Sequence, residues 1–490
     1  MIYFVLSIYT LFIVILFCYS IHAFILIYYH FKFRKQEREV KRTELKEFPQ
    51  VTIQLPLYNE KYVVRRLLKC VTSLDYPKDK LEIQVIDDSS DETMDIVKEL
   101  VAYYEKRHYD IKHLRRGSRK GFKAGALQYG LERSKGDYIA IFDADFVPPP
   151  HFLKELLPEF DTARVGGVQA RWGHLNDRVS FLTRSQAIGL DNHFINEQRL
   201  RSYAHCYISF NGTCGVWLKK AIVDSRGWHS DTLAEDLDLS YRVQLRGWTI
   251  KFRDDFIVAG ELPDNAHSFR IQQNRWAKGT IQVARKLLPQ VLKSNLKPVA
   301  KYEAFVHLTC HLNYLAMLGL AVFSLPVVYF KVAGIVSDFY FIFLSFFTIG
   351  AFGYPILYYL SQRKAYRDYR RRIPYIVGVI AYSMGLSISN TKAIIEGWFN
   401  KKHVFTRTPK SGGSKKTYRS DANSVIPFLE IIVGTYILIG LVYVIAHLQI
   451  ILIPFLLLYS FGFLSLGLSS LKNDIFPLRT QEVVCSEKSS

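Results

Sequence analysis

Hydrophobic and polar positions divide the 490-residue chain into stretches of different period. Residues 3 to 30 are apolar and aromatic without a charged side chain, long enough to cross the hydrocarbon core of a bilayer as one helix. They lack the small-residue cleavage site of a signal peptide, so the reading is an uncleaved anchor. From about Val51 to Ser294 the pattern changes to short apolar runs alternating with polar, amphipathic ones. Val51 to Pro56 predicts a strand ending at a proline, followed by a polar helix. A second strand is expected over Leu81 to Ile86, a helix over Asp91 to Arg107, and a strand over Tyr138 to Phe142 that runs straight into Asp143. Strands alternating with helices predict an α/β domain with a mostly parallel sheet and helices on both faces. In such sheets the ligand site lies beyond the carboxyl ends of the strands.

Past Ala300 the chain turns apolar again, near 304–330, 337–361, 425–446 and 448–471. The stretch 373–398 is apolar enough to span, yet it carries Ser383, Ser387, Ser389, Asn390 and Lys392 between two basic flanks, Arg370 to Arg372 and Lys401-Lys402. A spanning helix would leave one basic flank outside, so an interfacial or re-entrant helix is expected. The expected plan is an anchor with its basic flank over 1–45, an α/β domain with an interfacial helix over 46–300, and a transmembrane region over 301–490. About five α-helical spans are expected in all, with a Gly-rich loop at 401–416.

The formal net charge of +20 refines this plan. The basic residues collect beside the apolar runs: Arg34, Lys35, Arg38, Lys41 and Arg42 after the first, Arg363, Lys364, Arg367 and Arg370 to Arg372 after the third. This is the positive-inside pattern, which places the N-terminus outside and the central domain and the tail from Lys472 in the cytosol, beside membrane lipids. No recognition module accompanies the charge, so nucleic acid is excluded as a partner. The cysteines, Cys18, Cys70, Cys206, Cys214, Cys310 and Cys485, form no Cys-x-x-Cys pair and no zinc spacing, consistent with a reduced compartment.

Candidate chemistry gathers at the predicted strand ends. Asp143 and Asp145 flank Ala144, and both carboxylates reach one hard cation only if the chain leaves strand geometry there, as Pro148 to Pro150 imply. With diphosphate oxygens they would complete an octahedral Mg²⁺ or Mn²⁺ shell; the bland alternative is a helix cap. Asp87 and Asp88 end a strand ahead of Ser89-Ser-Asp91, where capping and recognition of a base edge coexist. Gly121 to Leu127 offers a flexible approach and one cation, Lys123, without the phosphate-loop pattern. Glu235-Asp236 opens a helix, where acids favour the macrodipole, or supplies a general base. Gln272-Gln-Asn-Arg-Trp276 puts amides, a guanidinium and an indole on one short stretch, either an ordinary amphipathic helix or the equipment to hold a pyrophosphate beside a sugar ring. Phe405 to Gly413, with Thr408 and Lys410, is a basic linker or a loop that closes over a phosphate.

Taken in order, Asp-Asp, Asp-x-Asp, Glu-Asp and Gln-x-x-Arg-Trp resemble the signature of the processive inverting glycosyltransferases of family 2, the cellulose synthase superfamily. The wording is closer still to plant cellulose-synthase-like mannan and glucan synthases. Pro56-Leu-Tyr-Asn-Glu60, Gly121-Phe-Lys-Ala-Gly-Ala-Leu127, Phe142-Asp-Ala-Asp-Phe146, Val168-Gln-Ala-Arg-Trp172 and Phe210-Asn-Gly-Thr213 carry the likeness from about residue 50 to 300. The Phe-x-x-Thr-x-Lys gating loop matches at 405–410. Arg407 departs from the usual Val, and Leu233-Ala234 from the Thr or Val that commonly precedes Glu-Asp; neither removes a group the chemistry needs.

The resemblance implies a GT-A type domain beside a membrane channel. It implies that Tyr58, Glu60, Asp87 and Asp88 hold the nucleoside and Lys123 and Asp143 the diphosphate. Asp145 with Asp143 would carry Mg²⁺ or Mn²⁺, and Asp236 would be the general base. Gln272 and Arg275 would steady the leaving group, Asn211, Gly212, Thr213 and Trp276 would receive the acceptor, and Phe405, Thr408 and Lys410 would close over the nucleotide. The implied donor is a nucleotide sugar, GDP-mannose or UDP-glucose. The implied product is a growing β-linked polysaccharide, a β-1,4 mannan, glucomannan or glucan, exported as it is made in a bacterial plasma membrane or a Golgi membrane, with an accessory subunit an open possibility. Two other readings stand beside this one: a lipid glycosyltransferase acting on diacylglycerol or ceramide, and a non-catalytic transporter or scaffold.

Overall fold

The computed structural model describes residues 1–34, 45, 47–399 and 425–475. Seven strands form one sheet in the order β3-β2-β1-β4-β6-β5-β7. They are β1 (Val51–Leu57), β2 (Leu81–Asp87), β3 (Asp110–Leu114), β4 (Tyr138–Ile141), β5 (Val165–His174), β6 (Gly215–Leu218) and β7 (Thr249–Gly260). β1 pairs in parallel with β2 and β4, β2 with β3, and β5 with β7, whereas β6 runs antiparallel to both β4 and β5. Every strand except β6 therefore points the same way. The register aligns Leu57 with Asp87 and His174 with Gly260, so the carboxyl ends of β1, β2, β4, β5 and β7 form one edge. Because β6 is reversed, the turn leading into it, at Asn211 to Cys214, arrives at that same edge.

Helices cover both faces, and each face has its own core. On one side Val51, Ile53 and Leu55 of β1 and Ile83 and Val85 of β2 pack against α2 (Val64–Thr72), α3 (Thr93–Glu105) and, through Phe152, α5 (Phe152–Leu156). On the other, Ile139 and Ile141 of β4 and Trp217 of β6 pack against α4 (Phe122–Leu131), α8 (Lys219–Asp224) and α9 (Glu235–Leu245). The intervening β1 positions Thr52 and Gln54 are polar and fully buried. Each is paired across the strand, Thr52 donating to Glu82 at 2.7 Å and Gln54 to Gln84 at 3.2 Å, which is how a two-sided buried strand carries polar side chains. After β5, α6 (Phe181–Asn192) runs into a π-helical turn at His193–Gln198 and α7 (Arg199–Tyr203).

Five helical segments are long and apolar enough to cross a membrane: α1 (Ile2–Lys32), Pro298–Val332, Asp338–Ala365, Ile426–Ala446 and Ile450–Leu471, and the chain is that of a membrane protein. The second comprises α11 (Pro298–Thr309) and α12 (Asn313–Val332), the third α13 (Asp338–Phe347) and α14 (Gly353–Ala365). The stretch expected at 373–398 comprises α15 (Ile376–Gly385) and α16 (Ser387–Trp398), bent by 49° where they meet, the shape of a broken span or a re-entrant segment. The last two spans are α17 (Ile426–Ala446) and α18 (Ile453–Ile475). α15 approaches α18 glycine to glycine: a Cβ on Gly462 would lie 2.0 Å from the Ala381 carbonyl oxygen, so the close crossing depends on the missing side chain. The gating-loop residues Phe405, Thr408 and Lys410 lie outside the described residues.

Between domain and membrane lies α10 (Ala266–Lys293), started by Asn265, whose side chain accepts from the Ser268 amide. The Gln272 to Trp276 word sits inside this helix, so the amphipathic reading and the site reading are both realised. Gln272, Arg275 and Trp276 share one face by i, i+3, i+4 spacing. Arg270, Asn274 and Lys278 form a second i, i+4, i+8 row that grips the membrane helices. Arg270 forks onto Glu430 of α17 at 3.0 and 2.7 Å, Asn274 donates to the Ser389 carbonyl of α16 at 3.0 Å, and Lys278 pairs with Glu396 of α16 at 2.5 Å.

Both Arg270 and Glu430 are buried, so removing one partner strands the other charge. Arg270→Met is expected to lower unfolding stability by about 3 kcal/mol, and Arg270→Met with Glu430→Leu to recover most of the loss; thermal unfolding of the three proteins in detergent measures it.

Candidate active site

A cleft opens at the carboxyl edge of the sheet, with α10 as its membrane-side wall. Tyr58, Glu60, Asp88, Lys123, Asp143, Asp145, Asn211, Asp236, Gln272, Arg275 and Trp276 all line it. They arrive from seven places: the ends of β1, β2 and β4, the start of α4, the turn before β6, the start of α9, and one face of α10. What sequence separates by more than two hundred positions, parallel register and one long helix bring together.

One end of the cleft follows β1 and β2. The Arg119 guanidinium lies 3.3 Å from the centre of the Tyr58 ring, a stacked cation and aromatic pair that makes a flat platform. Asp88 receives a two-pronged hydrogen bond from Arg116, Nε to Oδ1 at 2.9 Å and Nη2 to Oδ2. Asp87 is not on the wall. It is wholly buried, accepting from the Ser89 amide at 2.8 Å on one oxygen and facing His113 Nε2 at 2.9 Å on the other. Burial pushes its carboxyl up, but the His113 and Ser89 hydrogen bonds outweigh that and hold it below the usual range. The alternation of a strand explains the split, since neighbours on β2 point to opposite sides.

In the middle of the cleft four charges meet. Lys123 Nζ donates to Asp143 Oδ1 at 2.6 Å and to the Gly212 carbonyl at 3.0 Å, and lies 3.8 Å from Glu235. Burial would lower its pKa, and Asp143 and Glu235 raise it instead, so the ammonium stays charged. Asp236, in the first turn of α9, accepts from the Leu237 amide at 2.8 Å. Burial and the neighbouring Glu235 push its carboxyl up to about 7, against the pull of Lys123. Such a carboxylate is tuned to take a proton near neutral pH.

Asp143 and Asp145 lie on a turn closed by the Phe146 amide on the Asp143 carbonyl at 3.2 Å. Leaving strand geometry in this way turns both carboxylates toward the cleft. The donor set is hard oxygen without thiolate, which fits a divalent cation such as Mg²⁺ or Mn²⁺.

The turn before β6 works from behind. Gln169 accepts from the Asn211 amide at 2.8 Å and donates to the Thr213 carbonyl at 3.0 Å, and Thr213 Oγ1 accepts from the Asp143 amide at 2.9 Å. Thr213 is fully buried, so it shapes the loop rather than the cleft wall. Gly212 sits between Lys123 and Asp236 with φ +77°, and a Cβ there would lie 2.7 Å from Asp236 Oδ2. The sequence pattern does not single out Arg116, Arg119, Glu235 as a cleft residue, His174 or Glu261. The basic run Arg115-Arg116 to Lys120 ahead of Gly121 was the available signal for the first two. His174 and Glu261 lie at the ends of β5 and β7, which the alternation pattern did not mark.

Residues 52–227 match the sequence model of glycosyl transferase family 2. They are a family 2 glycosyltransferase domain. The chain is 39% identical over 252 residues to glucomannan 4-beta-mannosyltransferase 2 of Arabidopsis thaliana, covering 50% of this chain and 47% of that one. It is 37% identical over 278 residues to glucomannan 4-beta-mannosyltransferase 1 of Cyamopsis tetragonoloba, covering 55% and 52%. It thus spans about half the length of the curated relatives it matches. Among solved structures it superposes on the mannosyltransferase PcManGT from Pyrobaculum calidifontis, in complex with GDP-Man and Mn²⁺, with a TM-score of 0.54 at 18% identity, over 81% of this chain and 100% of that one. That likeness carries the fold of the glycosyltransferase domain, which is of the GT-A type.

A methyl group at position 212 meets both left-handed backbone strain and the Asp236 carboxylate. Gly212→Ala is expected to lose about 1–2 kcal/mol of stability, whereas Gly117→Ala, whose added Cβ meets nothing within 4 Å, is neutral; thermal unfolding of the two variants in parallel checks this.

Proposed function

We propose that the protein is an inverting hexosyltransferase that adds mannose from GDP-mannose to the end of a growing β-1,4-linked mannan or glucomannan. The observation that carries the reading is Asp236, a half-buried carboxyl tuned to about 7 in the same cleft as the Lys123–Asp143 pair and Gln272, Arg275 and Trp276. The relatives, by their names, transfer mannose, and this supports mannose over glucose as the donor sugar.

In this mechanism Tyr58, Glu60, Arg119 and Asp88 hold the nucleoside, and Lys123, Arg275 and Gln272 hold the diphosphate. Asp145 and Asp143 would hold Mg²⁺ or Mn²⁺, which when bound offsets the negative charge of the departing diphosphate. Trp276 stacks on the terminal acceptor sugar. An Asp236 oxygen removes the proton from the attacking acceptor hydroxyl, which approaches the anomeric carbon in line with the bond to the leaving group and inverts it. Lys123 stabilises the ionised form of Asp236 before the proton arrives, and Glu235 disfavours it; their opposition sets the working pH. The apolar helices beside α10 give the product a route across the bilayer, and the basic flanks support a cytosolic cleft.

The base works ionised and its pKa is raised, so the expected kcat/KM falls about tenfold per pH unit below roughly 7 and levels off above it. Asp236→Asn is expected to cut turnover at least about 10²-fold and to leave GDP binding nearly unchanged. Purified protein in detergent, offered radiolabelled GDP-mannose and UDP-glucose with Mg²⁺ or Mn²⁺, is expected to label a polymer from GDP-mannose that β-1,4-mannanase digests. A single-sugar glycolipid product, or labelling from UDP-glucose alone, contradicts the assignment.

A further inference from the structure

His174 ends β5 inside the cleft, a position the mechanism above leaves idle. Its ring is only 3% exposed, and Nε2 lies 3.0 Å from Asp191 Oδ1. Asp191, on α6, is buried, and both its oxygens are engaged from the membrane region. Gln362 of α14 donates to Oδ2 at 2.9 Å, and the Tyr366 hydroxyl just past α14 donates to Oδ1 at 3.3 Å. Burial pushes the Asp191 carboxyl up, and His174, Gln362 and the Arg171 charge outweigh it, so the carboxylate stays ionised. The Asp191 carboxylate at Nε2 holds a proton on that nitrogen and fixes the ring's orientation, so that Nδ1 is the corner of the ring turned away from Asp191. Among the described residues Nδ1 has no hydrogen-bond partner, and it is not among the sealed polar atoms of the interior; it opens on the cleft.

Sheet order says which part of a ligand it meets. Tyr58 and Glu60 follow β1, and β5 lies three strands away across β4 and β6, about 14 Å at ordinary strand spacing. Asp143 at the end of β4 falls between. His174 therefore stands across the diphosphate position from the nucleoside. Trp172, two residues earlier on the same face of β5, lines the cleft with it, as does Trp276 from α10. Aromatic rings around one oriented hydrogen-bonding group are the chemistry of a sugar subsite.

We propose that His174 determines acceptor specificity, its Nδ1 forming a hydrogen bond with a hydroxyl of the terminal acceptor sugar, with Asp191 as the positioning residue that orients the ring. This rests on the glycosyl-transfer reading. It also ties the acceptor subsite to α14, so the membrane region helps to hold the recognising group in place.

The test uses the full chain in detergent with GDP-mannose and β-1,4-mannohexaose, varying each substrate separately, with GDP affinity as the check on folding. His174→Ala is expected to raise the acceptor KM about tenfold while the donor KM and GDP affinity stay within about twofold. His174→Asn, whose amide falls near the Nδ1 position, is expected to recover to within about threefold of the wild type, and Asp191→Asn to give an intermediate acceptor KM. An unchanged acceptor KM in His174→Ala, equal rises in donor and acceptor KM, or no recovery in His174→Asn overturns the inference while wild-type transfer leaves the activity standing. A wild type that transfers to no sugar acceptor overturns the activity and this inference together.

Discussion

One helix has to satisfy two environments, and the rest of the structure is arranged around that requirement. α10 turns Gln272, Arg275 and Trp276 toward the cleft and, about 150° away around the same helix by its geometry, turns Arg270, Asn274 and Lys278 toward α16 and α17. Gln282, further along, accepts from the Leu233 amide at 2.9 Å just ahead of α9, so the same helix also fixes where Asp236 begins its turn. A rigid element with a polar row on each side couples the position of the membrane helices to the position of the groups in the cleft. Displacing it by even an ångström would disturb both, because reacting groups tolerate little misplacement.

Electrostatics explain the remainder of the cleft. Asp143, Glu235, Asp236 and Lys123 are packed with one ammonium among three carboxyls. A lone buried lysine would lose its proton and a lone buried aspartate would gain one. Together they separate into a charged pair, Lys123 with Asp143, and a carboxyl, Asp236, poised near neutrality. Gly212 lets the backbone come close enough to cap Lys123 with a carbonyl without a side chain meeting Asp236. The hydrogen bonds of Gln169 and Thr213 then hold that turn from behind. The burial that a soluble core would exploit for packing serves here to tune ionisation.

Much of this was legible in the residues. The strand ends before Asp88 and Asp143 follow from apolar runs meeting acids, and the convergence of four short motifs on one cleft follows from parallel strands sharing a carboxyl edge. Period alone could not reveal which of Asp87 and Asp88 faces outward, since that depends on the pleat and on His113 reaching in from β3. Nor could it reveal β6 as the reversed strand, because a four-residue apolar run has no direction. The His174–Asp191–Gln362 connection joins residues as much as 188 positions apart in sequence through packing of α6 on α14, and no local spacing encodes it. The 373–398 stretch was legible as exceptional from its serines and basic flanks, and it takes the form of two helices bent at Leu386.

The account stands on Asp236 acting as a base in a single displacement, with the nucleotide leaving on the opposite side of the sugar. A double displacement would require a second carboxylate to form a bond to the sugar, and Asp143 is instead held to Lys123 while Glu235 faces the same ammonium. The anomeric configuration of the first product therefore tests the mechanism most directly. Proton NMR of the linkage formed from an α-linked nucleotide sugar and a short oligosaccharide acceptor is predicted to show a β-linkage from the first turnover, and an α-linked product would contradict the account.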